Sequence, residues 1–183
     1  MWYPVATPSK ESLAICLVGV AQISFFDSHG NFSGSFKMAS GGKLLPLGSA
    51  LIAKTAHLGL VTGVIRLESL DPVEAGRVFK VLLAGEEVQP MITIKAATTV
   101  YLPIQGASCL FLANFQSDGL KVKIIFCDND NSPFALNLML NKGVCLMPLD
   151  EMQSYYPIDP YVFLQITPSN TLLVSLLHLN FHQ

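Results

Sequence analysis

Four short runs follow one another between residues 77 and 127, and their composition predicts β-strands. The runs cover residues 77–83, 91–102, 109–115 and 121–127. Aliphatic and aromatic residues dominate them, and turn-forming residues separate them. β-Branched and aromatic side chains suit the pleated, half-buried surface of a sheet. We therefore expect this stretch to form the centre of a β-rich fold.

The last two of these runs are expected to form a β-hairpin. Asp118 and Gly119 lie between them, and glycine accepts a positive φ without a Cβ clash. A three-residue loop over 117–119 would place Leu112 opposite Ile124 on a buried face. The opposite face would carry Lys121 and Lys123, and would therefore be partly exposed or lie at a contact. In the same register, Leu110 would face Phe126 and Asn114 would face Val122.

The cysteines do not indicate a disulfide-rich fold. Four residues, Cys16, Cys109, Cys127 and Cys145, are too few and too widely spaced for such a scaffold. The predicted hairpin places Cys109 opposite Cys127, where either a cross-strand disulfide or two buried thiols could form. Two thiols are preferred, because unpaired cysteine is commonly buried as a small apolar residue. This preference favours a reducing compartment.

Helical signals are few. Asp71, Pro72 and Glu74 form a capping pattern, but Gly76 limits it to a single turn. A further turn is expected within 150–160. Residues 133–142 fit either a capped helix or a strand with alternating leucines, and the strand is preferred because the flanking segments are β.

The pattern as a whole predicts an all-β protein. About ten strands are expected, with a closing hairpin formed by residues 161–167 and 171–181. Frequent turns favour a two-sheet β-sandwich, specifically a single jelly roll, with one or two short helical turns. No linker or internal repeat is visible, so one domain is expected over 1–183, with an extended N-terminal segment at 1–11.

The chain has few charges for its size. Charged residues make up 13% of the sequence and hydrophobic residues 51%, whereas about 25% charged residues is usual. Residues 12–26, 96–117 and 160–183 contain no Asp, Glu, Lys or Arg. An isolated domain would expose part of these apolar stretches, so lipid or neighbouring protein is expected to cover them.

Protein is the preferred neighbour. A membrane-spanning helix needs about 20 continuous apolar residues, and each charge-free stretch is interrupted before that length. The interruptions are Asp27, Pro103 with Gly106, and the turn-forming residues 167–170. We therefore expect no transmembrane helix.

The sequence offers no convincing catalytic or cofactor motif. The nucleophile elbow, the phosphate-binding loop and the His-Glu-x-x-His zinc motif are all missing from it. Asp128 and Asp130 alternate as calcium ligands do, but the loop glycine and distal glutamate are lacking. A solvated turn is the preferred interpretation. The protein is expected to be no enzyme and to bind no metal or cofactor.

Aromatic residues indicate contact surfaces. Trp2 and Tyr3 lie at the N-terminus, and Tyr155 with Tyr156 occupies a proline-bounded segment. These four residues are candidates for contacts with a neighbouring subunit, since exposed aromatic side chains are enriched at interfaces.

These observations favour a structural assembly protein over a nucleic-acid-binding protein. The net charge is −2, and the 11 basic and 13 acidic residues are scattered, with no basic arm to bind a genome. By fold-level analogy we expect a viral or phage capsid (coat) subunit in the virion, contacting copies of itself and other shell proteins. If it is not viral, a cytoplasmic location is expected. A carbohydrate- or receptor-binding β-sandwich is the alternative.

Overall fold

In the computed structural model, the described residues are built mainly of β-strands. The residues that the structure describes are 1–8, 12–46, 60–70, 80–104, 106–116, 118–127, 134–149 and 163–179. They form sixteen strands in four antiparallel sheets of four strands each. The prediction of an all-β sandwich fold is therefore confirmed. The helical turns predicted at 71–74 and within 150–160 lie outside the described residues.

The chain divides into two compact units, Met1–Met91 and Ile92–Gln183, which we call unit 1 and unit 2. Unit 1 contains β1 (Trp2–Pro8), β2 (Ser12–Leu17), β3 (Ala21–Phe26), β4 (Phe32–Met38), β5 (Gly41–Pro46), β6 (Leu60–Ser69), β7 (Lys80–Leu83) and β8 (Glu86–Val88). Unit 2 contains β9 (Ile92–Ile94), β10 (Val100–Pro103), β11 (Cys109–Asn114), β12 (Leu120–Cys127), β13 (Phe134–Leu140), β14 (Gly143–Pro148), β15 (Phe163–Pro168) and β16 (Leu172–Leu177). The single domain predicted over 1–183 stays a prediction, because it requires that the two units unfold together.

Unit 2 is a long antiparallel hairpin rolled into two sheets. β12 pairs with β13, β11 with β14, β10 with β15 and β9 with β16, so the two arms pair along their length. Rolling adds the pairs β12–β15 and β11–β16. The sheets have the strand orders β10-β15-β12-β13 and β14-β11-β16-β9. This eight-stranded, two-sheet arrangement is that of a jelly roll.

Unit 1 has the same pairing, but the strand that comes first in unit 2 has its counterpart at the end of unit 1. Its central pair is β3–β4, the arms add β2–β5 and β1–β6, and rolling adds β3–β6 and β2–β7. β8 lies beside β7 and follows it directly, whereas its counterpart β9 comes first in unit 2. Unit 1 is therefore the jelly roll of unit 2 with its first strand moved to the end.

The cores of the two units correspond residue by residue through these registers. Leu13 faces Leu45 across β2 and β5, and Leu110 faces Met147 across β11 and β14. The same matching pairs further buried residues of the two units: Ile15 with Leu112, Ile65 with Ile166, and Val81 with Val174. Within each unit, side chains from all eight strands pack into one hydrophobic cluster.

One part of this correspondence is also readable in the sequence. β4 begins at residue 32 and β13 at residue 134, a separation of 102 (134 − 32), and both strands have seven residues. β5 and β14 keep the same separation (143 − 41) and are both six residues long. Identical residues occupy four matched positions: Phe32 and Phe134, Gly41 and Gly143, Leu44 and Leu146, Pro46 and Pro148. The two segments therefore share some residues as well as their pairing, and the absence of an internal sequence repeat stays a prediction.

The two hairpins predicted over 109–127 and 161–181 were wrong in their pairing, although the described strands themselves form. β11 and β12 lie in different sheets, as do β15 and β16. Leu112 lies opposite Cys145 and Val174 rather than Ile124. The physical reason is that consecutive strands along one arm of a rolled hairpin lie in opposite sheets, so the turn between them carries the chain across the sandwich instead of reversing it.

The remaining strand predictions hold in outline. The 12–26 stretch forms two strands, β2 and β3, and the ambiguous 133–142 segment contains the strand β13. At the N-terminus, β1 pairs with β6 along its whole length, and residues 9–11 lie outside the described part. Pro4 and Pro8 fit in β1 because it ends its sheet, where a missing N–H costs no ladder bond.

A Thr62→Val substitution is expected to stabilise unit 1 by about 1 kcal/mol, because it removes a buried hydroxyl that lacks a partner. Thr62 is 0% exposed on β6, and its Oγ1 has no hydrogen-bond partner. The measurement is the urea midpoint at unchanged slope. Thr167→Val is the matched control, because the Thr167 hydroxyl lies 2.8 Å from that of Thr99 and no gain is expected there. A lower midpoint for Thr62→Val would contradict the prediction.

Candidate functional site

The predicted interface residues differ in their accessibility. Trp2 is half-buried on β1, with its ring centroid 5.4 Å from that of Phe26 and the Arg66 guanidinium 5.2 Å from its ring. Tyr3 is only 2% exposed and belongs to the core of unit 1, where burial raises the pKa of its phenol. Tyr3 therefore does not present its ring at the surface. Tyr155 and Tyr156 lie outside the described residues.

Trp2 and Tyr3 differ in exposure because neighbouring side chains on a strand point to opposite faces. Sequence alone did not identify which face of β1 was inward, since both positions are aromatic. The pairing of Tyr3 with Ile65, a core residue of β6, settles the orientation.

The four cysteines are free thiols, of which Cys109 and Cys127 are buried and Cys16 and Cys145 are half-buried. Cys109 lies opposite Pro148 and Leu177, so the predicted pairing of Cys109 with Cys127 was wrong. Burial raises the pKa of the Cys109 thiol to about 12, and burial also raises that of Cys145. A thiol must lose its proton to act as a nucleophile or metal ligand, so a raised pKa disfavours both roles for Cys109 and Cys145.

The calcium candidates Asp128 and Asp130 lie outside the described residues. In the part of the chain that the structure describes, no three His, Cys, Asp or Glu side chains come together as metal ligands. That same part includes no helix long and apolar enough to cross a membrane.

The most distinctive surface feature is a set of exposed apolar side chains on sheet edges. Leu44 on β5 is 69% exposed, Met139 on β13 is 65%, and Phe32 on β4 and Tyr101 on β10 are both 62%. Ile92 on β9 is 43% exposed. When the described strands are considered, each of these five strands lies at an edge of its sheet. Exposed apolar groups beside unpaired backbone are typical of surfaces that bind another chain.

Most of these edges carry features that discourage further pairing. β1 has two prolines, and β10 and β14 have one each. β8 and β9 have only three residues each, and β8 carries Glu86 and Glu87. β4 contains Gly34 and Lys37 and pairs irregularly with β3, and β5 begins with two glycines. Proline, charge, short length and irregular pairing all protect edges against association.

β13 lacks each of these protective features. Its seven residues contain no charge, no proline and no glycine, and it pairs with β12 in unbroken register. Ala135, Asn137 and Met139 are exposed on its outer face. Leu136 and Leu138 point toward the core but are only half-buried, because no further described strand covers them. β13 is therefore the most open edge among the described strands.

A shallow concavity of about 570 Å³ lies beside β13 on the outer face of its sheet. Lys121 and Lys123 line it from β12, Asn137 and Met139 from β13, and Thr167 from β15. Farther along the same sheet, the Tyr101 ring lies 6.2 Å from that of Phe163. The concavity thus combines two cations with hydroxyl and amide groups, and an exposed aromatic ring lies on the same sheet.

Sequence reasoning identified the lysines of this face but missed the edge. The alternation of Leu136, Leu138 and Leu140 was visible, and so was the lack of charge in 134–140. The position of β13 at the end of a sheet depends on pairing with distant strands, which no local pattern shows.

Comparisons with known proteins identify no family for this chain. No family model and no curated protein matches it. Among solved structures, it is weakly similar to the PBSX exported protein XepA, with a TM-score of 0.30, 9% identity, and coverage of 95% of this chain and 80% of that one. It is also weakly similar to A223, a turret protein in Sulfolobus turreted icosahedral virus, with a TM-score of 0.28, 11% identity, and coverage of 95% and 93%. Neither TM-score is high enough to assign a function.

Proposed function

We propose that this protein is a structural assembly protein that associates with copies of itself through apolar surfaces. The observation that supports this proposal is the exposure of large apolar side chains along several sheet edges. Isolated exposed apolar residues are ordinary in proteins. Their placement on strands at the edges of sheets favours association.

The charge distribution supports the same proposal. In the described part of unit 2, Asp118 is the only acidic residue, and four lysines accompany it. A surface with so few charges offers little electrostatic repulsion between copies. Interfaces of permanent assemblies resemble a domain core cut in half, and such interfaces tolerate this composition.

The more specific form of the proposal is a viral or phage coat subunit. Jelly rolls with this two-sheet arrangement are widely used in viral capsids, and this step is fold-level analogy rather than evidence from a site. The partners would be copies of this chain and other shell proteins, and the location would be the virion.

The mass in solution tests the proposal directly. Light scattering on a sizing column, over a range of concentrations, is expected to give a multiple of the 19.9 kDa chain mass. Repeating the run with a calcium chelator tests whether a cation holds the assembly together. A monomer at every concentration would overturn the assembly proposal.

A binding module is the second candidate, because of the concavity beside Lys121 and Lys123 and the exposed Tyr101 ring. Carbohydrate ligands use stacking on aromatic rings together with hydrogen bonds to polar side chains. This candidate predicts a hit on a glycan array that Tyr101→Ala abolishes. Glycan binding by a monomer would favour it over assembly.

A further inference from the structure

The geometry points to β13 as the strand through which two copies of this chain pair, antiparallel and about a two-fold axis at Asn137. This inference rests on the proposed self-association and names the surface that would carry it. The occupant of the β13 edge would be the β13 of a second copy. Two four-stranded sheets would then join into one continuous sheet of eight strands.

The choice of β13 follows from its open edge. An edge strand presents unpaired N–H and C=O groups that can template a further strand. The other described edges are interrupted by proline, short length, charge, glycine or irregular pairing, whereas β13 has seven regular, uncharged residues. The half-buried state of Leu136 and Leu138 adds apolar area that a neighbouring strand would cover.

The residue pattern of β13 complements itself. Asn137 is the middle residue of Phe134–Leu140, so a two-fold axis there places Asn137 opposite its own copy. Leu136 then lies opposite Leu138 of the second copy on the inner face. Ala135 lies opposite Met139 of the second copy on the outer face. Apolar side chains therefore lie opposite apolar side chains, and Asn137 lies opposite Asn137. Each face of the joined sheet keeps its polarity.

Electrostatics allow this pairing with a second copy. β13 itself has no charge, and the nearest cations on its outer face are Lys121 and Lys123 on β12. In the joined sheet, the two copies of Lys123 would be three strand spacings apart, about 14 Å. That distance exceeds the Debye length of about 8 Å at physiological salt, so repulsion between them is largely screened.

The corresponding strand of unit 1 is less suited to the same role. β4 has Lys37 where β13 has Met139, and Gly34 where β13 has Leu136. Its pairing with β3 also shifts register between Phe25 and Phe26. The two matched strands thus provide a test position and a control position within one chain.

The test is Asn137→Lys in the full-length protein, studied by sedimentation over a range of concentrations. Asn137 is exposed on the outer face, so the substitution leaves the core untouched. The axis places the two new lysines directly opposite each other, which is expected to weaken self-association about two- to fivefold. Ser35→Lys is the matched control, because Ser35 is the exposed counterpart of Asn137 on β4, and it is expected to leave self-association unchanged.

A charge-reversal experiment tests the two-fold axis itself. Asn137→Glu alone is also expected to weaken association, whereas an equal mixture of Asn137→Lys and Asn137→Glu should recover it as a mixed dimer. No recovery, or an equal loss from Ser35→Lys, would overturn the β13 pairing while leaving assembly through another surface intact. A wild-type protein that stays monomeric at all concentrations would overturn both the pairing and the proposed function.

Discussion

Leu112→Asp is expected to abolish the folding of unit 2. Leu112 is fully buried on β11, a central strand, between Cys145 on one side and Val174 on the other. An unpaired carboxylate in this core costs more than about 5 kcal/mol, which is comparable to the whole stability of a domain. Circular dichroism and a two-dimensional amide spectrum would show the loss of native structure.

The same substitution tests whether the two units fold together. If residues 1–183 are one cooperative domain, as the sequence predicts, all dispersed amide signals should disappear. Survival of the unit 1 signals would show that the units fold separately. Ile15→Asp makes the corresponding change in unit 1, because Ile15 holds the position on β2 that Leu112 holds on β11. Thr93→Asp, at an exposed position on β9, is the control and should change the stability by about 0.5 kcal/mol or less. A soluble Leu112→Asp protein with a native spectrum would contradict the core assignment.

Gly119→Val is expected to destabilise unit 2 by about 2 to 3 kcal/mol. Gly119 has a φ of +82°, and a β-branched side chain resists this conformation. A Cβ at this position would lie 3.9 Å from the Met139 Sδ, an ordinary contact, so the cost comes from the backbone rather than from a clash. The urea midpoint measures the loss.

Gly119 lies in a different kind of connection from the predicted hairpin. Gly119 does not close a hairpin but lies in the connection that carries the chain from β11 in one sheet to β12 in the other. Its N–H donates to the Leu140 carbonyl at 3.1 Å, and the Lys142 N–H donates to the Asp118 carboxylate at 2.7 Å. These bonds hold the connection against the β13–β14 turn, so a change at Gly119 disturbs both.

Two further variants separate the backbone effect from a general sensitivity of glycines. Gly119→Asn should cost less than Gly119→Val, because asparagine tolerates positive φ better than a β-branched residue. Gly42→Ala on β5 should be nearly neutral, since the added Cβ would meet only the Cys16 Sγ at 3.6 Å. Equal midpoints for wild type and Gly119→Val would contradict the assigned conformation.

The candidate site was only partly predictable from the sequence. The low charge and the apolar stretches indicated surfaces that contact other protein. The aromatic residues predicted as contacts differ in their exposure. Trp2 is partly accessible, whereas Tyr3 lies in the core, because adjacent residues on β1 face opposite ways. The open edge at β13 was missed, since an edge is defined by which strands lie beside it.

The correspondence between the two units shows a similar limit. The β4–β5 and β13–β14 segments keep equal lengths and four identical residues, whereas elsewhere identity is limited to scattered core positions such as Val81 and Val174. The shift of one strand from the start to the end of unit 1 further hides the repeat, since matched strands no longer follow one another in the same order. Pairing registers reveal what residue identity does not.

The sequence by itself determined the β-rich class, the position of most strands and the positive φ of Gly119, because strand propensity and turn chemistry act over a few neighbouring residues. Only the tertiary structure decided which strands pair, how many sheets result and which edge stays open. The reason is that pairing in a rolled hairpin joins residues far apart in the chain, such as Leu110 and Leu176, whose contact depends on closing a long loop. The residue pattern of a few neighbouring positions does not indicate which distant strands pair.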